Sequence, residues 1–381
     1  MKDACAGCAG VDDLRAIAAR RLPRFLFDFL DGAAELERTA AANREAFART
    51  LLYPRVLRTC LPVDATVHFA GTACALPLVL APLAFAGLFH PGQEQAVARA
   101  AAAAGVPLCL AMASIAGMEE VRAAAPTAEL YLQLYMLRDR GMVEDILQRA
   151  QAIAVRALVL TVDVPVHGRR YRDVRSGFYG LPRMDARMRL DVLRHPRWAW
   201  SRRHLATPRF GTIARYADGE SADFFLREVD PQLRWSDVAW LRRHWPGQLW
   251  IKGVLHPEDA AEAFAQGADA LVVSNHGGRQ LDGSLAVLDA LARLRDRLPS
   301  HGPLFVDGGI REGADLVRLR ALGAEAGWIG RPWGYALAAA GEDGVRHMLD
   351  GFGEELRIAM ALLGKRRWCD IDDSVLAGAS G

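Results

Sequence analysis

Eight short apolar runs, alternating with stretches of helical periodicity, predict an α/β fold for this chain of 381 residues, closed as a (β/α)8 TIM barrel. The runs lie at 76–81, 107–112, 129–134, 157–162, 248–252, 270–274, 303–307 and 326–330. Helical spacing returns between them at 93–104, 143–154, 257–266, 285–298 and 315–322. Polar or special residues end most of the runs, the edge where a parallel barrel gathers its site. A doubly wound open sheet is the alternative that the same alternation leaves open.

Taken in order, residues 12–20 and 25–30 read as helices separated by Pro23, with a third helix at 36–47. Residues 53–74 are short, β-rich and punctuated by proline, as a lid or a barrel-bottom hairpin is. The uncharged stretch 69–89 imitates a membrane span, but Gly71, Pro77, Pro82 and Gly87 break it into a loop and a buried strand. After the fourth run the pattern lapses: about seventy residues separate Asp163 from the next helix near Ser236, far beyond an ordinary connection. The expected organisation is one domain over 1–381. It comprises N-terminal helices and hairpin (1–75), a barrel (76–340) with an insertion at 171–235, and a C-terminal helix and tail (341–381).

Composition excludes several classes. Hydrophobic residues make up 51% and charged residues 24%, which is globular and not disordered. A net charge of +2 gives no bulk argument for nucleic acid. The six cysteines are scattered, which suits a reducing cytoplasm better than a disulfide framework. Cys5 and Cys8 form a C-x-x-C without a second pair or a nearby His, so no metal site is expected. Residues 1–10 lack the hydrophobic core of a secretory signal.

Chemistry concentrates at 274–283, Ser-Asn-His-Gly-Gly-Arg-Gln-Leu-Asp-Gly, a strand-to-helix turn. Gly277 and Gly278 let backbone approach a ligand closely, and His276 beside Arg279 suits proton abstraction next to an anion. Other run ends carry Gln133 and Tyr135, Thr161 and Asp163, Lys252, Asp307-Gly308-Gly309-Ile310-Arg311, and Gly330-Arg331. Singly each reads as a solvated strand cap; gathered at one barrel mouth they read as a site. No G-x-G-x-x-G occurs, so a nicotinamide site has no support.

The decapeptide resembles the signature of the FMN-dependent α-hydroxy acid oxidase and dehydrogenase family, which includes glycolate oxidase, lactate and mandelate dehydrogenases and hydroxymandelate oxidase. The resemblance spans about 14–364. It implies one FMN and oxidation of a 2-hydroxy acid, mandelate-like or lactate, to the 2-oxo acid. His276 is then the base, Asp163 the carboxylate that orients it, and Arg279 and Arg170 the grip on the substrate carboxylate. Tyr135 lies near the substrate. Pro82, Ala84, Gln133, Thr161, Lys252 and Ser274 face the flavin. Asp307, Gly308, Gly309 and Arg311 with Gly330 and Arg331 hold ribityl and phosphate. The electrons reach the flavin as hydride or after a carbanion; a quinone, an electron-transfer partner or oxygen removes them. A homotetramer is also expected.

Two departures stand out. The family's Tyr-Asp-Tyr is Phe27-Asp28-Phe29 here, removing a hydroxyl from the substrate pocket at Phe29, as in hydroxymandelate oxidases. Ala111 replaces a serine that contacts the flavin. They motivate the competing reading, a flavin-binding relative with altered or lost hydroxy acid activity. Residues 176–215 hold nine Arg and two Asp, a local +7, interleaved with Phe178, Tyr179, Trp198, Trp200 and Phe210. Such a segment suits an anionic membrane surface and resembles the quinone-linked lactate and mandelate dehydrogenases; a lid or an oligomer contact is the alternative. The expected location is cytoplasmic, peripheral on the inner face of the plasma membrane.

Overall fold

The computed structural model describes residues 5, 7–58, 60–178, 185–202, 209–217, 221–298 and 302–378. Three helices lead the chain: α1 (Val11–Arg21), α2 (Arg24–Asp31) and α3 (Arg38–Arg49). Asp12 and Asp13 open α1 and Arg20 and Arg21 close it, matching the helix dipole, and Pro23 separates it from α2.

A hairpin follows, β1 (Val67–Phe69) with β2 (Thr72–Cys74). Phe69 packs edge-on against Phe305 at 5.3 Å, so the hairpin plugs the bottom of the barrel. The barrel is closed and all parallel: β3 (Leu78–Leu80), β4 (Leu108–Leu110), β5 (Leu130–Leu134), β6 (Ala157–Thr161), β7 (Gln248–Val254), β8 (Ala270–Val273), β9 (Leu304–Asp307) and β10 (Ala326–Ile329), with β10 returning to β3. These are the eight runs expected, and closure rules out the open sheet. The strands are mostly apolar because helices cover their outer faces, with Gln133, Thr161, Lys252 and Asp307 toward the C-terminal ends. Tyr131, Trp250, Phe305 and Trp328 fill the interior, with Trp250 stacked on Phe305 at 4.6 Å.

The described parts of the insertion form short helices, Tyr171–Ser176, Ala186–Arg194, Pro196–Ser201 and Ser221–Glu228, before the barrel resumes with Trp235–His244. It is docked on the body. Asp191 accepts from the Arg24 backbone amide at 2.6 Å, and the Trp198 indole donates to the Leu88 carbonyl at 2.8 Å. For Phe178, Phe210 and Trp198 the reading as interfacial aromatics is corrected. Phe178 and Phe210 are buried, and Trp198 packs against Phe25 at 6.1 Å. Trp200 is 70% exposed, and Tyr179 lies outside the described residues. The body supplies apolar area that those rings cover more favourably than water does.

Candidate active site

A cavity of about 260 Å³ opens at the C-terminal mouth of the barrel. His276 enters it from the turn after β8. That turn is tightly wound: His276 itself has φ +57, and the Asn275 side chain accepts from the Gly278 amide at 3.1 Å. A side chain on Gly278 would strike the Ala40 backbone of α3 at 2.6 Å, so glycine is required there. His276 Nδ1 lies 3.0 and 3.2 Å from the two carboxylate oxygens of Asp163, at the start of the loop after β6. Among the described residues His276 Nε2 makes no hydrogen bond, leaving it as the ring nitrogen open to the cavity. Burial pushes the Asp163 carboxyl up, but the charge and hydrogen bond of His276, with Lys252, outweigh it and hold Asp163 below the usual carboxylate value.

Two guanidinium groups share the opposite wall. Arg279 stands 4.8 Å above the Phe29 ring and Arg170 5.6 Å from it. Burial and the neighbouring Arg170 hold Arg279 well below the ordinary guanidinium value. Arg170 lies 2.7 Å from the Asp173 carboxylate. Two cations facing one cavity, with a single nearby carboxylate, are an electrostatic deficit that an anionic ligand would relieve. Phe29 sits in a wall of aromatic rings, edge-on to Phe85 at 5.4 Å and Phe178 at 5.0 Å; Phe85 meets Phe210 at 4.9 Å, and Phe210 meets Phe225 at 5.5 Å. Tyr135 closes this wall against Phe225, and burial beside Asp163 pushes its hydroxyl up to about 12, so it stays protonated.

The cavity floor carries polar atoms without protein partners. Gln133 Oε1 accepts from the Met112 amide, yet its Nε2 is buried and unpartnered, as are Thr161 Oγ1 and Asp307 Oδ1. Lys252 Nζ lies 2.7 Å from Asp307 and donates to Ser274 Oγ at 2.9 Å. Burial lowers Lys252, but Asp307 and Asp163 overcome it and keep the ammonium above its ordinary value. An orphan donor beside an orphan acceptor fits a ligand bearing both carbonyls and hydroxyls, as FMN does.

Toward the N-terminus of the helix Arg331–Ala340, the Arg311 guanidinium bonds the Ile310 carbonyl and no other group among the described residues, and burial with Arg331 nearby pulls it down to about 10. A half-buried cation beside a helix N-terminus fits phosphate. Arg331 uses three N–H groups on the carbonyls of Asp31, Gly32 and Gly277, so it also braces the turn that carries His276.

Most residues expected at the site line this one cavity, among them Pro82, Ala84, Gln133, Thr161, Gly308, Gly309 and Gly330. Two stand one layer back. Asp163 lies behind His276, and Ser274 is wholly buried, its hydroxyl used by Lys252 and by the His276 amide at 2.9 Å. Gly308 and Gly309 (φ +98 and +97) face α3 as well: a side chain on Gly309 would meet Phe47 at 2.9 Å. His167, Phe85 and Phe225 also line the cavity and were not expected there. Phe225 has a sequence signal, the apolar triplet Phe224-Phe225-Leu226 within a polar insertion.

The profile of the FMN-dependent dehydrogenase family matches residues 18–378. An L-lactate dehydrogenase of Caulobacter vibrioides is 46% identical over 371 residues, 96% of each chain, and one of Pectobacterium atrosepticum is 42% identical over 370 residues, 96% and 95% of the two chains. Among solved structures, a monotopic membrane (S)-mandelate dehydrogenase superposes with a TM-score of 0.92 at 32% identity, covering 97% of this chain and 99% of that one. A mandelate oxidase superposes at 0.82 with 39% identity, covering 95% and 96%. With this match running through the barrel and its mouth, the chain belongs to the FMN-dependent dehydrogenase family.

Proposed function

We propose that this enzyme oxidises a 2-hydroxy acid to the 2-oxo acid, with His276 as the proton acceptor and an aryl-substituted acid preferred over lactate. The observation that carries the reading is the His276–Asp163 pair at 3.0 Å, set across the cavity from Arg170 and Arg279. Asp163 accepts from Nδ1, fixes the tautomer that leaves Nε2 basic, and stabilises the imidazolium once the substrate proton arrives. Arg279 and Arg170 bind the carboxylate, which supplies the negative charge their pocket lacks. Tyr135, protonated, offers a donor to the substrate. The aromatic wall from Phe29 to Phe225 covers a flat apolar substituent.

FMN, when bound, supplies the two-electron acceptor. Gln133, Thr161, Lys252 and Asp307 would hold its ring system and ribityl chain, and Arg311, Arg331 and the backbone at Gly330 its phosphate. The single-turnover rate of flavin reduction in His276→Asn tests the assignment. It should fall on the order of 10²–10⁴-fold with FMN still bound. Reduction at near wild-type speed would assign the base elsewhere.

A second reading, that the enzyme works at a membrane and passes electrons to a quinone, draws on one surface. Leu190 and Leu193 are 51% and 74% exposed on the helix Ala186–Arg194, with Arg187, Arg189, Arg194 and Arg197 exposed around them and Trp200 close in sequence. Apolar side chains ringed by arginine suit an anionic lipid surface, and the similar (S)-mandelate dehydrogenase is described as monotopic. Among the described residues no helix is long and apolar enough to cross a membrane. The homotetramer draws on another surface, where exposed Tyr53, Val56, Leu57 and Leu61 adjoin Ile358 and Leu362 through the Arg55 amide bonded to the Leu362 carbonyl.

A further inference from the structure

His276 and Asp163 stand on different loops, so their contact depends on how those loops are held together. Helices and strands fix only the loop roots. A displacement of half an ångström or so at either tip would take a 3.0 Å hydrogen bond out of range.

One side chain bridges the two loops. Gln280, four residues past His276, donates from Nε2 to the Asp163 carbonyl at 2.7 Å and to the Val166 carbonyl at 2.9 Å. Its Oε1 accepts from the Gly168 amide at 3.2 Å. All three partners are backbone groups of the 163–168 span. Two carbonyls facing the NH₂ and one amide facing the oxygen leave a single orientation of the carboxamide that satisfies every contact.

The loops also touch directly. A side chain on Gly168 would fall 2.4 Å from the Arg279 carbonyl and 2.5 Å from that of Gln280. On the opposite side, a side chain on Gly253 of β7 (φ +109) would meet the Asp163 side chain at 2.6 Å. Asp163 is thus held between a bare strand backbone and the Gln280 carboxamide. The same span leads into Arg170, which precedes the helix Tyr171–Ser176.

We propose that Gln280 is a positioning residue that registers the Asp163 loop against the His276 turn, an inference that rests on His276 being the base. It touches neither reacting atom; it acts through Asp163.

The test is a double-mutant cycle on the FMN-loaded enzyme, read as the flavin reduction rate at saturating substrate. Gln280→Leu should slow reduction roughly 10–100-fold, the scale of a misplaced catalytic group. In an Asp163→Asn background the same change should cost less than about threefold, because no registered carboxylate remains to be lost. Equal losses in both backgrounds would overturn the proposal and make Gln280 a merely structural residue. Amide hydrogen exchange across 164–170 supplies a readout apart from activity. It should rise in Gln280→Leu with bound FMN unchanged, and unchanged exchange would overturn the proposal too. If Gln280→Leu fails to hold flavin, Gln280→Met keeps the length and enters the same cycle. Failure of the base assignment has a different signature, since His276→Asn would then stay fast.

Discussion

Phe29→Tyr is the substitution whose effect follows most directly from the geometry of the pocket. Phe29 is 6% exposed, lines the cavity, and lies beneath the guanidinium groups of Arg279 at 4.8 Å and Arg170 at 5.6 Å. If those arginines bind the substrate carboxylate as proposed, a hydroxyl on this ring would offer it a further donor. A hydrogen bond to a charged group contributes about 1.5–3 kcal/mol, or roughly 10–150-fold in kcat/KM. Lactate, with only a methyl to bury, has no other contact to make up that loss in the wild type. An aryl substituent recovers part of it against Phe85, Phe178, Phe210 and Phe225, since ring pairs are worth about 0.5–1.5 kcal/mol beyond area burial. The wild type should therefore prefer mandelate to lactate, by roughly 2–13-fold from these ring contacts alone. Phe29→Tyr should raise kcat/KM by about tenfold or more for lactate and by a similar factor for mandelate, since both present the same carboxylate. Steady-state assays of both proteins on both acids measure this. A wild-type preference for lactate, or no gain on either acid in Phe29→Tyr, would refute the reasoning.

Asp31 ties α2 to the rest of the barrel mouth through Arg15 at 2.5 Å, Arg172 at 2.7 Å and the Tyr335 hydroxyl at 2.6 Å. Asp31→Asn should cost about 2–3 kcal/mol of stability in urea titration at pH 7, below the ~3–5 of a fully buried pair because Arg15 is half exposed. Burial raises the Asp31 carboxyl, but Arg15, Tyr335 and Arg172 hold it well below the usual carboxylate value. Its contribution is therefore complete above the ordinary carboxylate pKa and is lost as pH falls through the folded value, so the gap between the two proteins should narrow below about pH 4. Leu193→Glu should weaken sedimentation with anionic vesicles, and wild-type binding should fall steeply with salt; equal sedimentation of both proteins would remove the membrane reading. Leu57→Asp should reduce the mass seen by light scattering if the surface at 51–61 joins copies of the chain, and an unchanged mass would exclude that surface.

The fold was legible because a parallel barrel buries both faces of every strand: runs such as 157–162 and 270–274 lack polar residues until the end that faces the site. The helix Gln93–Ala104 was readable to the residue, its turns carrying alanine toward the core. Chemistry at strand ends was equally plain, because Gln133, Lys252 and Asp307 are conspicuous after apolar runs. The insertion was not legible. Its helices are short and Arg-rich, and nothing in the order of residues reveals that Phe178 and Phe210 turn inward while Leu193 turns outward. That depends on the apolar surface offered by Phe25, Phe29 and Phe85, over a hundred residues away in some pairs. Nor does the residue order around Arg331 reveal that its donors close on three backbone carbonyls, a consequence of α2 passing over the mouth.

Anaerobic mixing of the FMN-loaded enzyme with mandelate, 4-hydroxymandelate and lactate tests the central claim most directly, because on this account the hydroxy acid, losing a proton to His276, itself supplies the two electrons that reduce the flavin and bleach its visible absorbance. Bleaching within the dead time or seconds by the aryl acids, slower with lactate, is the predicted result. An FMN-loaded protein whose absorbance stays unchanged with all three acids would contradict it and favour the reading of a flavin-binding relative that has lost hydroxy acid oxidation.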